Sequence, residues 1–304
     1  MSAIAVTHLT KKFGNRTAVE DLSFSVKSGE VFGFLGPNGA GKTTTIRLIT
    51  GVLTPDSGTI SIGNTDLHRH PFDAKMQIGV IPENSAVYGD LTAEQNLLLA
   101  GRMYGMPADH LKKRVLDILS DIGLFERRND PVSTFSKGMK QRISIGCAIV
   151  HRPRLLILDE PSSGLDIRSR DFVFSVLQKL KEDGTAIFLT THNIADANAL
   201  CDTICIINKG KIVASDRPAM LKQMLDTTRS VEVSFSGELR KDHFNMPEII
   251  RAEKAGDSWR LYTDNPDHVV RFVVDLSERE HMAISSITTS GPSLEEAFLR
   301  LTEG

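Results

Sequence analysis

Apolar and polar residues alternate along Val19-Glu20-Asp21-Leu22-Ser23-Phe24-Ser25-Val26, the period of a strand with one face in a core and the other in water. Gly29 supplies a turn, and Val31-Phe32-Gly33-Phe34-Leu35 is apolar throughout, as a strand buried on both faces requires. Thr44-Thr45-Ile46-Arg47-Leu48-Ile49 then opens a helix. From Leu91 to Phe125 the period becomes helical: Thr92 stands as a cap ahead of Leu97, Leu98 and Leu99, and a second helix runs from about Leu111 to Ile122. Leu155-Leu156-Ile157-Leu158 and Ala186-Ile187-Phe188-Leu189-Thr190 are continuous apolar strands again, separated by a helix near Ser169 to Lys181. These patterns predict a parallel α/β core interrupted by an all-helical insertion at about 84–150.

A further shift follows Leu221 to Leu225. Val231-Glu232-Val233-Ser234-Phe235 and Trp259-Arg260-Leu261-Tyr262-Thr263 alternate, with helical stretches near Asp267 to Arg279 and Ser293 to Thr302. The expected division is therefore a main domain over 1–225 and a small α+β domain over 229–304. A length of 304 residues suits two domains, and no internal repeat or low-complexity segment interrupts them.

The 40% hydrophobic and 24% charged composition, with a net charge of -2, belongs to the soluble globular class and carries no bulk basicity for nucleic acid. No apolar segment is long enough to span a bilayer, and Met1 to Thr10 lacks a secretory pattern, so a cytosolic chain is expected. Cys147, Cys201 and Cys205 are too few and too irregular for a disulfide framework or a zinc site.

Between the buried strand and its helix lies Gly36-Pro37-Asn38-Gly39-Ala40-Gly41-Lys42-Thr43, a phosphate-binding loop at every defined position. Its glycines bring backbone N–H groups to the phosphates of a nucleoside triphosphate at a helix N-terminus. Lys42 is placed to reach the β- and γ-phosphates, the Thr43 hydroxyl to ligate Mg²⁺, and Thr44 continues the nucleotide-binding run. The strand at 155–158 ends in Asp159-Glu160-Pro161. Asp159 at that strand end can hold Mg²⁺, and Glu160, one residue farther out, can orient the water that attacks the γ-phosphate.

A third element, Phe135-Ser136-Lys137-Gly138-Met139-Lys140-Gln141-Arg142, opens a helix through Ile143, Ile145, Ala148 and Ile149. With it the chain resembles the ATP-binding subunits of ABC transporters over about Ile4 to Asp216, the family's motifs occurring in the family's order. The usual signature begins Leu-Ser-Gly-Gly-Gln. This chain keeps Ser136 and Gly138 and carries Phe135, Lys137 and Met139 at the other positions. The resemblance implies a P-loop NTPase core of ABC type, a mainly parallel sheet with an antiparallel β subdomain. It implies a dimer in which the signature of one subunit closes over ATP held by the other, with Ser136 and Gly138 facing the γ-phosphate. It further makes Asp166 of Ser163-Gly164-Leu165-Asp166 part of a loop crossing between sites, His192 a switch that senses the γ-phosphate, and Phe13 the ring stacked on adenine. The family usually has glutamine where Ile81-Pro82-Glu83-Asn84 stands, and Glu83 can still ligate Mg²⁺ through a carboxylate oxygen.

The tail, ending in Pro292-Ser293-Leu294-Glu295-Glu296-Ala297-Phe298-Leu299, resembles the C-terminal extension of ATPases paired with six-helix exporter permeases. The implied function is the ATP-hydrolysing subunit of an exporter. Its partners would be a separate integral membrane permease and a second ATPase subunit, identical or similar, with the chain peripheral on the inner face of the cell membrane. The alternative is a soluble ABC ATPase acting on a macromolecular complex without a permease, which usually carries two motif sets or a long coiled-coil insertion. A regulator that binds nucleotide without turnover is a third class, and Glu160 argues against it.

Overall fold

A computed structural model describes residues 2–83, 86–223, 229–291 and 293–303, and divides the chain into two compact units, Met1–Arg217 and Pro218–Gly304. The first unit opens with β1 (Ser2–Phe13), β2 (Arg16–Lys27) and β3 (Val31–Leu35), followed by α1 (Lys42–Ile49). Next come β4 (Ser57–Ile62), β5 (Thr65–Asp66), α2 (Pro71–Lys75) and β6 (Ile78–Ile81). The helical part holds α3 (Ala93–Met103), α4 (Ala108–Asp121) and α5 (Lys137–Ile149). The unit closes with β7 (Leu155–Asp159), α6 (Ile167–Glu182), β8 (Ala186–Thr191), α7 (Ile194–Leu200), β9 (Thr203–Asn208) and β10 (Lys211–Asp216).

Six strands form one sheet in the order β10-β9-β3-β8-β7-β6, parallel except for β10, while β2-β1-β4-β5 form a second, antiparallel sheet. One apolar core joins them, with Ile4, Leu22 and Ile60 from the antiparallel sheet and Phe32, Ile157 and Phe188 from the parallel one. Phe24 stacks on Phe32 and Phe188 at centroid distances of 5.5 and 5.7 Å, so the two sheets meet through aromatic contact. Because β3, β7 and β8 run parallel side by side, their C-terminal ends open onto one edge of the sheet, where ligands of such folds bind.

The helical insertion forms as its capping chemistry dictates. Thr92 accepts from the Gln95 N–H while the Gln95 side chain accepts from the Thr92 N–H, a complete capping box at the start of α3. The helix expected from Leu111 begins earlier, at Ala108, because Pro107 ends the extended chain there. The helix expected from Ser169 begins at Ile167, because Asp166 is its cap. All three cysteines are free thiols, and burial pushes Cys147 and Cys205 up to about 12 and Cys201 upward as well.

The second unit comprises α8 (Pro218–Gln223), β11 (Arg229–Phe235), β12 (Arg251–Ala255), β13 (Ser258–Thr263), α9 (Pro266–Arg279), β14 (Ile284–Ser290) and α10 (Leu294–Glu303). Its antiparallel sheet has the order β12-β13-β11-β14, with Val231, Val233, Trp259 and Leu261 packed against Val269, Val273 and Leu276 of α9. The division falls before α8, at Arg217, because α8 packs on α10 within this unit. The expected boundary residue Leu225 and the tail's Pro292 lie outside the described residues.

Candidate functional site

The loop between β3 and α1 is shaped by glycine at positions where no side chain fits. A Cβ at Gly36 would overlap the Ile207 carbonyl of β9, and one at Gly41 would lie 2.7 Å from the Ala18 carbonyl of β2. Gly41 also sits at φ 114° and Gly39 at φ 81°, backbone that favours glycine. Gly39 has open space where a Cβ would be, apart from the Arg16 guanidinium 4.0 Å away, so its turn leaves the top of the loop clear. At the start of α1, Lys42 folds its buried amine back over the loop, donating to the Gly36 carbonyl at 2.5 Å and the Pro37 carbonyl at 3.3 Å. Burial lowers the Lys42 pKa, while the nearby Glu160 and Asp159 carboxylates act to raise it.

Across the cleft, β7 ends at Asp159 and the chain turns at Glu160 with φ 49°, a left-handed conformation uncommon for a residue with a Cβ. Thr190 of β8 stabilises that turn. Its hydroxyl donates to Asp159 Oδ1 at 2.6 Å, while the Glu160 N–H lies 3.1 Å from the Thr190 carbonyl and 3.3 Å from its hydroxyl. The Glu160 carboxylate meets His192 Nδ1 at 2.9 Å and accepts weakly from the His192 N–H at 3.4 Å. The Glu160 side chain is 12% exposed and that of His192 66%, so the carboxylate is sheltered and the imidazole is its cover toward solvent.

One cleft of about 790 Å³ is lined by Phe13, Pro37, Asn38, Gly39, Gly41, Lys42, Thr43, Thr44, Glu83, Asp159, Glu160 and His192. Gly36 and Ala40 are buried behind this wall and shape the loop from beneath. Phe13 is half exposed at the cleft rather than a core ring, with the Lys11 amine 5.7 Å from its centroid. Sequence reading missed Arg16, Thr17 and Ala18 at the start of β2, and Lys209 and Gly210 in the turn between β9 and β10, which also line the cleft. Their one sequence signal is the Lys209-Gly210 turn. Gly210 closes against the loop, its N–H donating to the Ala40 carbonyl at 2.9 Å. Thr190 was also missed as a functional residue, since it reads as the end of an apolar strand.

Ser136, Gly138 and Asp166 lie outside this cleft. Ser136 is exposed and caps α5, accepting from the Met139 N–H at 3.3 Å. Asp166 caps α6, each carboxylate oxygen accepting from Ser169, one from its N–H and one from its hydroxyl, both at 2.9 Å. These bonds hold the Asp166 carboxyl below its usual pKa.

The donor set at the cleft fits Mg²⁺, a hard cation that takes one or two carboxylates and completes its shell with phosphate oxygens and water. Thr43, Asp159 and Glu83 bring a hydroxyl and two carboxylates to the same cleft as the phosphate-binding loop. Thr190 occupies one oxygen of Asp159 and leaves the other.

Residues 19–163 match the family model described as ABC transporter. Linearmycin resistance ATP-binding protein LnrL of Bacillus subtilis (strain 168) is 37% identical over 303 residues, covering 97% of this chain and 96% of that protein. Nod factor export ATP-binding protein I of Ralstonia nicotianae is 34% identical, over 98% of this chain and 93% of that one. Among solved structures, an ATP binding subunit of an ABC transporter is 34% identical with a TM-score of 0.67, covering 73% of this chain and 92% of that chain. CbiO1 from Clostridium perfringens, part of the ABC transporter complex cbiONQ, is 26% identical with a TM-score of 0.68, covering 72% and 90%.

Proposed function

The chain belongs to the ATP-binding subunits of ABC transporters and is an ATPase, and on that premise we propose that it energises an exporter through ATP-driven pairing of two such subunits. Export is supported by relatives of nearly full length whose names refer to linearmycin resistance and Nod factor export. The observation that carries the mechanism is the sheltered Glu160 carboxylate facing the same cleft as Lys42, with His192 upon it.

In this reading Phe13 stacks on the adenine, and the N–H groups of the 36–41 loop hold the triphosphate at the head of α1. Lys42, now donating to its own loop carbonyls, exchanges them for phosphate oxygens, which are stronger acceptors. Glu160 orients the attacking water and takes up its proton, and His192 registers the γ-phosphate while holding Glu160 in place. Thr43, Asp159 and Glu83 would hold Mg²⁺, whose chemistry is to neutralise charge on the phosphates. Ser136 and Gly138 serve ATP held by the partner subunit, and Asp166 lies on the loop crossing between the two sites.

A permease seat is supported by an apolar groove of about 400 Å³ between α3 and α5. Tyr88 and Met103, 57% and 74% exposed, line it together with Leu99 and Cys147. Pro82 of the same groove is the chain neighbour of Glu83 of the nucleotide cleft, so a membrane partner seated there would feel the state of the nucleotide. Such seating makes the chain peripheral to the cytoplasmic face of the membrane.

The test is purification of the tagged chain from detergent-solubilised membranes of its own host. A protein of about six membrane spans should accompany it. The pair should separate when Met103 is changed to Glu, and reconstitution of the intact pair should raise the ATPase rate. A soluble ribosomal or nucleic-acid complex in place of a membrane protein, indifferent to Met103→Glu, would favour the permease-free alternative.

A further inference from the structure

The seam between α5 and α6 explains why Gly138 is glycine. Its backbone is ordinary helix in the first turn of α5, with no positive φ to require glycine. What forbids a side chain is Ser169 on α6: a Cβ at Gly138 would overlap the Ser169 hydroxyl and lie 2.7 Å from its Cβ. The glycine is buried, so its missing side chain is turned into this chain's own interior. Ser169, only 9% exposed, is at the same time the donor that occupies both carboxylate oxygens of Asp166. One side chain therefore touches both the Ser136–Gly138 segment and the 163–166 loop.

Neighbouring contacts run along the same seam. The exposed Lys137 side chain reaches over the loop, its amine within overlap distance of where a Cβ at Gly164 would be, and Gly164 itself sits at φ 65°. One turn and more along α5, the Arg142 guanidinium sits 3.7 Å from the centroid of the Phe172 ring on α6. Of these contacts the Gly138–Ser169 one is buried on both sides, so a gap opened there forfeits packing energy.

We propose that Ser169 is a positioning residue for ATP hydrolysis: its hydroxyl, wedged between Gly138 and Asp166, fixes the Ser136–Gly138 segment and the 163–166 loop as one body for presentation to the partner subunit's ATP. This rests on the reading that the segment serves ATP held by the partner. The glycine at 138 is thereby required by Ser169, through contact within one chain, rather than by the approach of the nucleotide.

The test is a cycle of Gly138→Ala, Ser169→Gly and the double variant in the full-length chain, read in two ways. Thermal unfolding without nucleotide reads the contact itself. Gly138→Ala should lower the Tm, and Ser169→Gly should cancel that further loss by making room for the methyl group. Steady-state ATPase reads the positioning. Gly138→Ala should lower kcat about tenfold with KM for ATP unchanged within twofold, since the chain's own cleft is untouched, and the double variant should return to within threefold of Ser169→Gly alone. Ser169→Ala, which keeps the backbone cap and loses the hydroxyl, should lower kcat severalfold at constant KM. Independent losses in Tm would refute the contact. A cancelled Tm loss with kcat in the double variant more than tenfold below that of Ser169→Gly alone would show that the nucleotide is what demands the glycine, and an unchanged kcat in Ser169→Ala would refute the positioning role. Failure of the parent chain, in a Glu160→Gln background, to pair with ATP in size-exclusion chromatography would instead bring down the shared-site reading, and the positioning role with it, while leaving the Tm cycle legible.

Discussion

The cleft around Lys42 and the α5–α6 seam around Ser169 are both built from motifs of the first unit, but they are finished to different degrees. In the cleft, residues from β1, β2, α1 and β7 and from the loops after β3 and β8 converge within one chain on a single space, with the Lys42 amine, three carboxylates and the His192 imidazole on its walls. At the seam, Ser136 and Asp166 spend their polar groups on capping their own helices, and the packing is turned inward. On the proposed function, a single subunit thus carries one site for ATP and one surface that serves the ATP of another. The difference is the one expected if binding and catalysis are not complete in the same protomer. In the reading proposed above, the seam's preorganisation becomes useful when a second subunit brings a nucleotide to it.

The largest expected effect breaks the cleft without touching the seam. Glu160→Gln should lower kcat by about 100-fold or more, the range for loss of a general base, while ATP affinity stays within about threefold. Measured turnover within twofold of the parent would remove Glu160 from the mechanism. Because hydrolysis no longer reopens the pair, the variant should accumulate as an ATP-bound dimer, which makes it the background for testing the seam. There Ser136→Arg should leave ATP bound at the cleft and abolish ATP-driven dimerisation in size-exclusion chromatography. A double variant that still pairs would reduce Ser136 to a helix cap.

Lys42→Ala should come next, weakening ATP binding roughly 10- to 100-fold, as expected for losing charge-assisted hydrogen bonds to phosphate. Calorimetry giving an unchanged Kd would place the phosphates elsewhere. Thr190→Val is the subtler probe, because it removes the one hydroxyl that links Asp159 to the turn at Glu160. A loss of about 1–3 kcal/mol is expected when a buried polar group is left unpaired, which corresponds to kcat lower by roughly tenfold if the turn relaxes. Unchanged kcat would show that the left-handed turn at Glu160 is held by backbone contacts alone.

How much of this was legible in the sequence depended on whether a residue's role is local. The phosphate-binding loop, the capped helix α3 and the buried strands β3, β7 and β8 each follow from neighbours in the chain, so their patterns predict them directly. Arg16, Thr17, Ala18, Lys209 and Gly210 reach the cleft because β2 and β9 flank the loop in space, which no local period records. The same holds for Gly138. Its place in a motif suggested close approach to a nucleotide, whereas the residue that excludes its side chain is 31 positions away on another helix. Short or exposed strands such as β5, β10 and β12 escaped because their alternation is brief or interrupted by charge.

The smallest expected effect concerns the second unit, and it sharpens the contrast by asking whether both cleft and seam are self-sufficient in the first. A chain ending at Arg217 retains every cleft residue from Phe13 to Gly210 and the whole α5–α6 seam, and it keeps the apolar core that joins the two sheets. The removed unit has its own core around Val231, Leu261 and Val273, so its loss strips no buried residue from that joint core. The truncated chain should therefore bind ATP with a Kd within about twofold of the full chain, by calorimetry, because the groups that set affinity are all present. Any larger loss should appear in the ATP-driven dimer of the Glu160→Gln form, since a domain appended after the last strand can act on pairing without entering the cleft. If the shortened chain folds, with a cooperative melt, yet fails to bind ATP, the second unit is part of the binding site. The cleft would then be no more complete in itself than the seam.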